Sequence, residues 1–187
     1  MNPVSPDLDR RFRDAAAREH LLDVAYDLVD TPVGTLLVAA TDRGLCRIAY
    51  DADPEQELEL LARKFGLRVL RAPLPIDPAR RQLDEYFEGK RRSFDLAVDL
   101  ALQADFNRRV LRELARVPYG EVVTYGELAT RAARPRAARA VGTVMNRNPL
   151  PIVLPCHRVI GSNGKLVGYG GGLHRKEALL RLEGALL

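Results

Sequence analysis

Residues 122–147 read VVTYGELATRAARPRAARAVGTVMNR, and the order of cap, turn and arginines in that stretch decides the fold of the C-terminal half. Thr124 followed by Glu127 is a capping box, so a helix begins just after Thr124 and covers YGELATRAA. Pro135 suits the first position of a second helix, which the pattern extends to about Asn146. In that second helix Ala137, Val141 and Met145 recur every four residues as an apolar stripe. Arg136, Arg139, Thr143 and Arg147 take the other side, with only the small Ala138 and Ala140 between them. Two short helices joined by a tight turn are a helix-turn-helix candidate, and this one presents arginines on a shallow face.

Upstream, FNRRVLRELARV carries Phe106, Val110, Leu111 and Leu114 at helical spacing, and Pro118-Tyr119-Gly120 ends that helix. Downstream, NRNPLPIVLP is expected to be extended, because prolines at 149, 151 and 155 forbid a helix. CHRVI then reads as a strand, GSNG as a turn and KLVGY as the returning strand. HRKEALLRLEG is a final helix closed by Gly184. The glycines of GYGGGL lack the spacing and the strand-to-helix setting of a dinucleotide fingerprint.

The N-terminal half reads differently. LLDVAYDLV, VGTLLVAAT and LCRIAY are strands joined by turns at Thr31-Pro32 and Asp42-Arg43-Gly44, which predicts a small antiparallel sheet. Asp53-Pro54 opens a helix through Lys64 that Gly66 closes, and Asp77-Pro78 opens another to Glu88. Residues 1–20 are a tail or a loosely docked helix. The expected division is therefore a tail over 1–20, an α/β unit over 21–98 and a C-terminal unit over 99–187.

Charge follows the same division. Residues 1–100 hold 15 Lys/Arg and 19 Asp/Glu, net −4, and residues 101–187 hold 14 and 6, net +8, which together make the chain's +4. From Tyr125 to Arg158 there are six arginines and one acid, Glu127. A basic half of this kind suits a polyanionic partner. Two cysteines, Cys46 and Cys156, argue against a disulfide framework, and MNPVSPDLDRRF is no signal peptide. The longest apolar runs are far too short for a membrane span, so a cytoplasmic protein is expected, associated with the nucleoid when bound to DNA. The cysteines and histidines show no zinc-type spacing, and no metal is expected.

Cys156 and His157 are adjacent. A thiolate is the nucleophile, and an imidazole held by an acid can take the thiol proton. On an extended chain neighbouring side chains point to opposite faces, so the proton is expected to pass through a water. Taken alone, the dipeptide also fits a buried cysteine beside a structural histidine. Cys46, in a strand, reads as a small apolar core residue.

The run NPLPIVLPCHRVIGSNGKLVGYGGGLHRKEALLRLEG resembles the O6-alkylguanine-DNA alkyltransferases, also called methylated-DNA–protein-cysteine methyltransferases. VPYGEVVTYGELA and PRAARAVGTVMNRNP extend the likeness upstream, and LDEYFEGKRRSFDL resembles the family's N-terminal unit near its junction. The likeness spans roughly residues 22 to 185. It implies an α+β chain: a ribonuclease H-like N-terminal sheet with helices, then a mostly helical, winged helix-turn-helix-like domain that binds duplex DNA in the minor groove. It implies irreversible, one-per-protein transfer of an alkyl group from a flipped-out O6-alkylguanine to Cys156. His157 resembles the base, Glu183 the acid that orients it, and Tyr125 the hydroxyl that donates to guanine N3 and crowds the nucleotide into rotating. Arg139 resembles the finger that fills the stack, with Arg136, Thr143 and Ala138 beside it on the DNA face. Asn148 resembles a brace for the turn before the active strand, and the Val159 carbonyl a reader of the exocyclic amine. Tyr169, Gly170 and Pro151 resemble the wall of the alkyl pocket. No cofactor is implied, because damaged DNA is the donor. A monomer is expected. O4-alkylthymine as a second lesion and cooperative binding along DNA stay open.

Some relatives carry a serine where this chain has Gly170, which predicts room for alkyl groups larger than methyl. The alternative reading is a lesion-binding sensor that repairs nothing, but such relatives replace the cysteine that this chain keeps. A regulator that senses its own alkylation would need a further domain, and a cysteine hydrolase gives no reason for the arginine-studded helix.

Overall fold

The computed structural model describes residues 5–186, so the expectations for residues 1–4 and 187 lie outside the described residues. The chain forms two compact units. The first runs to Asp84 and takes back Leu96–Asp99, and the second comprises Glu85–Asp95 and the chain from Leu100 on.

In the first unit, α1 (Pro6–Arg18) is a helix capped by Ser5, whose side chain accepts from the Leu8 N–H. Three strands follow, β1 (Val24–Thr31), β2 (Gly34–Thr41) and β3 (Gly44–Tyr50), antiparallel as their turns require. The strands alternate too little for a half-solvated sheet: β2 buries Leu36 to Ala40 without interruption. Val24, Leu37, Ala39, Cys46 and Leu61 form the core cluster beneath α2 (Pro54–Phe65). Asp53 caps α2 by accepting from the Glu55 and Gln56 N–H groups. The sheet is mixed rather than purely antiparallel. A short β4 (Val69–Arg71) pairs parallel to β1, giving the order β3-β2-β1-β4. Its three residues carry too little pattern to be read from sequence. Gly44 has φ +130°, and a Cβ there would lie 2.4 Å from the Ala97 carbonyl oxygen. This lets the segment 96–99 bond the edge of β3, with Leu45 N–H on the Ala97 carbonyl and Asp99 N–H on that of Leu45. The chain leaves this unit within α3 (Asp77–Phe87), where Asp77 is the first helical residue rather than a cap.

The second unit is built on α4 (Asp105–Ala115), which buries Val110, Leu111 and Leu114. After β5 (Val123–Thr124) come α5 (Tyr125–Arg131) and α6 (Ala138–Asn146), packed on each other and on α4. The Thr124–Glu127 capping box is present, with both reciprocal bonds made. The second helix starts three residues later than its proline suggests. Ala137 N–H donates back to the Arg134 carbonyl, and the first helical bond is Val141 N–H to Ala137. The turn this closes places Arg136 before the helix. Val141, Val144 and Met145 form the buried stripe, while Ala137 is only half-buried.

Three further expectations are corrected. Residues 149–154 form a tight turn, not an extended segment: Leu154 N–H donates to the Leu150 carbonyl at 2.8 Å, an arrangement prolines at 149 and 151 permit because neither needs to donate. Cys156–Arg158 is one 3-10 turn, and only Val159–Ile160 (β6) is strand, paired parallel to β5. KLVGY forms no returning strand, because the Lys176 ammonium bonds the Val159 and Val167 carbonyls at 2.5 and 3.1 Å in place of a ladder. The last helix is α7 (Leu173–Leu182).

Candidate functional site

Cys156 is presented by the turn that precedes it. The Asn148 side chain spans that turn: its Oδ1 accepts from Leu150 N–H at 3.1 Å and its Nδ2 donates to the Leu154 carbonyl at 2.8 Å. Within the turn Ile152 is buried at φ +74°, a costly conformation for a β-branched residue. Strain of this kind persists only where its surroundings hold it, and Asn148 is the side chain positioned to do so.

The Cys156 sulfur is buried, and burial pushes its pKa up. The Asn148 side chain, the Lys176 ammonium and the Tyr169 side chain oppose that rise. The resting group is a thiol in a site ready to stabilise a thiolate once its proton has somewhere to go. His157 follows Cys156 in the chain. It is fully buried, which pulls its pKa down and leaves the imidazole neutral. Its Nε2 lies 2.8 Å from Glu183 Oε1, so Nε2 carries the proton and donates. Its Nδ1, buried and without a hydrogen-bond partner, is the free acceptor.

Glu183 caps the C-terminus of α7. Burial alone would raise its pKa, but bonds from His157 and Arg158 override that and hold it at about 2. Arg158 donates through Nε to Oε2 and through Nη2 to Oε1, both at 2.8 Å, a bidentate pair inside the protein. The remaining Arg158 nitrogen donates to the Val117 carbonyl at 2.6 Å. The adjacent carboxylate is thus balanced by a guanidinium whether or not the imidazole is charged.

Tyr125 opens α5. Its hydroxyl donates to the Val167 carbonyl at 3.3 Å, and burial, then the nearby Cys156, raises its pKa and keeps it a donor. Gly142 of α6 faces its ring: a Cβ there would sit 3.9 Å from the ring edge. Lys176 is fully buried, and burial lowers its pKa to about 8.

The structure therefore gathers Asn148, Lys176, Tyr169 and Tyr125 around the Cys156 sulfur, and joins His157, the next residue, to Glu183. Pro151 is buried in the preceding turn, and Gly170 lies in the exposed loop after it. The Val159 carbonyl accepts from Lys176. Arg139 and Thr143 are exposed on α6 with Ala138 half-buried beside them, and Arg136 is exposed in the turn. Sequence reading passed over Arg158, Lys176, Tyr86 and Tyr119. Arg158 stood within the quoted PCHR run. Lys176 and Tyr86 carry no local signal, since a lysine and a tyrosine on amphipathic helices read as surface and core. Among the described residues, no group of three metal-ligating side chains is gathered, and no helix is long and apolar enough to cross a membrane.

Two family models match the chain. The DNA-binding domain of 6-O-methylguanine DNA methyltransferase matches residues 105–185, and its ribonuclease-like domain matches residues 24–100. A methylated-DNA–protein-cysteine methyltransferase of Methanosarcina barkeri is 44% identical over 84% of this chain and 96% of its own length. One from Mycolicibacterium paratuberculosis is 43% identical over 86% and 92%. Among solved structures, Mycobacterium tuberculosis OGT in complex with DNA is similar with a TM-score of 0.75 and 40% identity, covering 86% of this chain and 93% of that one.

Proposed function

The chain belongs to the 6-O-methylguanine DNA methyltransferase family of DNA-repair proteins, and from that premise we propose that it moves the alkyl group of O6-alkylguanine in duplex DNA onto its own Cys156. The observation that carries this reading is the buried His157, whose Nε2 is held by Glu183 while its Nδ1 stays free, beside a buried thiol.

The α5–α6 pair approaches the minor groove with its small residues and arginines. Arg139 enters the stack as the damaged nucleotide rotates out, which a reaction at a base atom buried in duplex requires. Arg136 and Thr143 contact the backbone, and Ala138 permits the close approach. The Val159 carbonyl accepts from the exocyclic amine of the base. The thiol proton passes to His157 Nδ1 through a water, and the sulfur attacks the alkyl carbon. The S–C bond forms as the C–O6 bond breaks, and the bonding pair leaves with the guanine ring. Tyr125, donating to N3, stabilises that charge, and the proton finally rests on the base. The thioether cannot be reversed by thiol exchange, so each chain acts once. Tyr169, Gly170 and Pro151 wall the alkyl pocket. With no side chain at Gly170, that wall carries no serine, and the pocket is proposed to admit ethyl and benzyl groups. Rates on ethyl and benzyl lesions far below those on methyl would contradict this.

The test is intact-protein mass after mixing with a duplex carrying one O6-methylguanine, beside Cys156→Ser. The expected result is a gain of one methylene, mapped to Cys156 and saturating at one per chain. Tight binding with unchanged mass would overturn the reading.

A further inference from the structure

Glu183 holds more than an imidazole. Its Oε1 accepts from His157 Nε2 and Arg158 Nη2, each at 2.8 Å, and from the Tyr86 hydroxyl at 2.6 Å. Its Oε2 accepts from Arg158 Nε at 2.8 Å and from the Gly120 N–H at 3.3 Å. Among the described residues, Tyr86 is thus the phenol bonded to the oxygen that holds the imidazole.

Tyr86 stands at the end of α3, in the short 85–95 segment that belongs to the second unit, and it is fully buried. Its ring lies edge-on to Phe87 at 5.2 Å and to Tyr119 at 6.1 Å, and tilted against Phe94 at 5.4 Å. These contacts aim the hydroxyl. Tyr119 is itself anchored, with its hydroxyl on the Leu182 carbonyl at 2.9 Å and the Arg158 guanidinium over its ring. Packing alone would be served by phenylalanine, as the neighbours Phe87 and Phe94 show. The hydroxyl has another task.

We propose that Tyr86 is a positioning residue for alkyl transfer: by donating to the same carboxylate oxygen that holds His157, it limits the pull of Glu183 on the imidazole and keeps His157 neutral with Nδ1 open as the base. This rests on the function proposed above. Each donor to a carboxylate draws off part of its charge and lowers its basicity. The charged and titratable groups around the imidazole are Glu183 and Lys176 from α7, Cys156 and Arg158 from its own turn, Tyr86 from the 85–95 segment, and Tyr119 from the turn after α4. Lys176 and Arg158 disfavour imidazolium, and Glu183 favours it. Tyr86 weakens the one group that favours it. Burial and the adjacent Glu183 raise the phenol's own pKa far above its ordinary value, so it remains a donor throughout.

The sign follows. Without the hydroxyl, more of the Glu183 charge falls on Nε2–H, imidazolium is favoured, and His157 titrates at higher pH. A base must be neutral, so transfer should fail at a higher pH on the acid side. The experiment measures single-turnover methyl transfer from an O6-methylguanine duplex against pH, together with 15N shifts of the His157 ring, for the full chain and for Tyr86→Phe. The acid limb and the ring titration should both move up by about 0.5–1 pH unit, with the alkaline plateau changed by less than about threefold. Incorporating 3-fluorotyrosine at position 86 retains the packing and strengthens the donor, and should move both curves the other way. A residue that only packs would lower the melting temperature and move neither curve. Coincident acid limbs and ring titrations in all three proteins would overturn the proposal. If the unaltered chain gains no methyl group, the proposed function falls, while the ring titration still decides the role of Tyr86.

Discussion

A carboxylate as enclosed as that of Glu183 is stable only because its donors replace the water it has lost. Removing its charge leaves Arg158 buried and unpaired. Glu183→Gln is expected to lower the unfolding free energy by about 3–5 kcal/mol at neutral pH, read by urea unfolding. The pH dependence has a definite sign. The folded carboxyl titrates at about 2 against 4.5 for the free group, so the unfolded chain binds more protons between those values. The stabilisation is complete above about pH 4.5 and is lost as pH falls toward 2, and the gap between the two proteins should close over that window. Tyr125 makes a different contribution. Its hydroxyl rests on the Val167 carbonyl in the free protein and is available to a base that displaces it. Tyr125→Phe should slow methyl transfer by about 100-fold, the typical cost of one lost donor to a developing anion, with duplex affinity little changed. Equal losses in rate and binding would assign Tyr125 to binding alone.

Among the elements, α6 carries the proposed DNA face and its boundary matters. Because the helix begins at Ala138, Arg139 sits in its first turn and projects from a rigid support, whereas Arg136 lies in the preceding turn. Arg139→Ala and Arg136→Ala should each reduce the salt dependence of duplex binding by about one counterion. Only Arg139→Ala should also slow transfer, because only Arg139 is proposed to fill the stack. Titrations at several salt concentrations, read beside transfer rates, separate the two. The caps of this region were open to sequence reading because they depend on residues three apart: Thr124 and Glu127 find each other whatever the rest of the chain does. The turn over 149–154 was not. Prolines exclude a helix, but the choice between extended chain and tight turn was made by Asn148, whose amide reaches Leu154 six residues on.

At the scale of the molecule, the two units share the chain unevenly. The segment Glu85–Asp95 goes with the second unit, and there Tyr86 meets Glu183, 97 residues away in sequence. A fragment beginning at residue 100 should therefore be less stable than one beginning at residue 85 by about 3 kcal/mol or more, the usual loss for a buried aromatic. Thermal unfolding of the two fragments checks this, and equal stability would make the 85–95 segment a mere connector. The charge division also acts at this scale. Residues 101–187, which include the proposed DNA face, carry net +8, while the acidic half leaves the chain as a whole only mildly basic. Salt should therefore affect binding far more than the net charge of the whole chain suggests.

The amino-acid order by itself determined most of the helices, the caps at Asp53 and Thr124 and the three-stranded antiparallel core, and it nominated the residues proposed as nucleophile, base and DNA contact. These are local patterns, or matches to a family run, and need no knowledge of distant neighbours. Tertiary structure alone decided the rest. It brought α7 under the 3-10 turn, so that Glu183 meets His157 across 26 residues. It coiled CHR rather than extending it, and set Lys176 on the Val159 and Val167 carbonyls where a hairpin was expected. The physical reason is burial. Once a carboxylate, a guanidinium, an imidazole and an ammonium are enclosed together, their polar atoms need partners, and the chain bends to supply them wherever in the sequence they lie, leaving His157 Nδ1 as the exception.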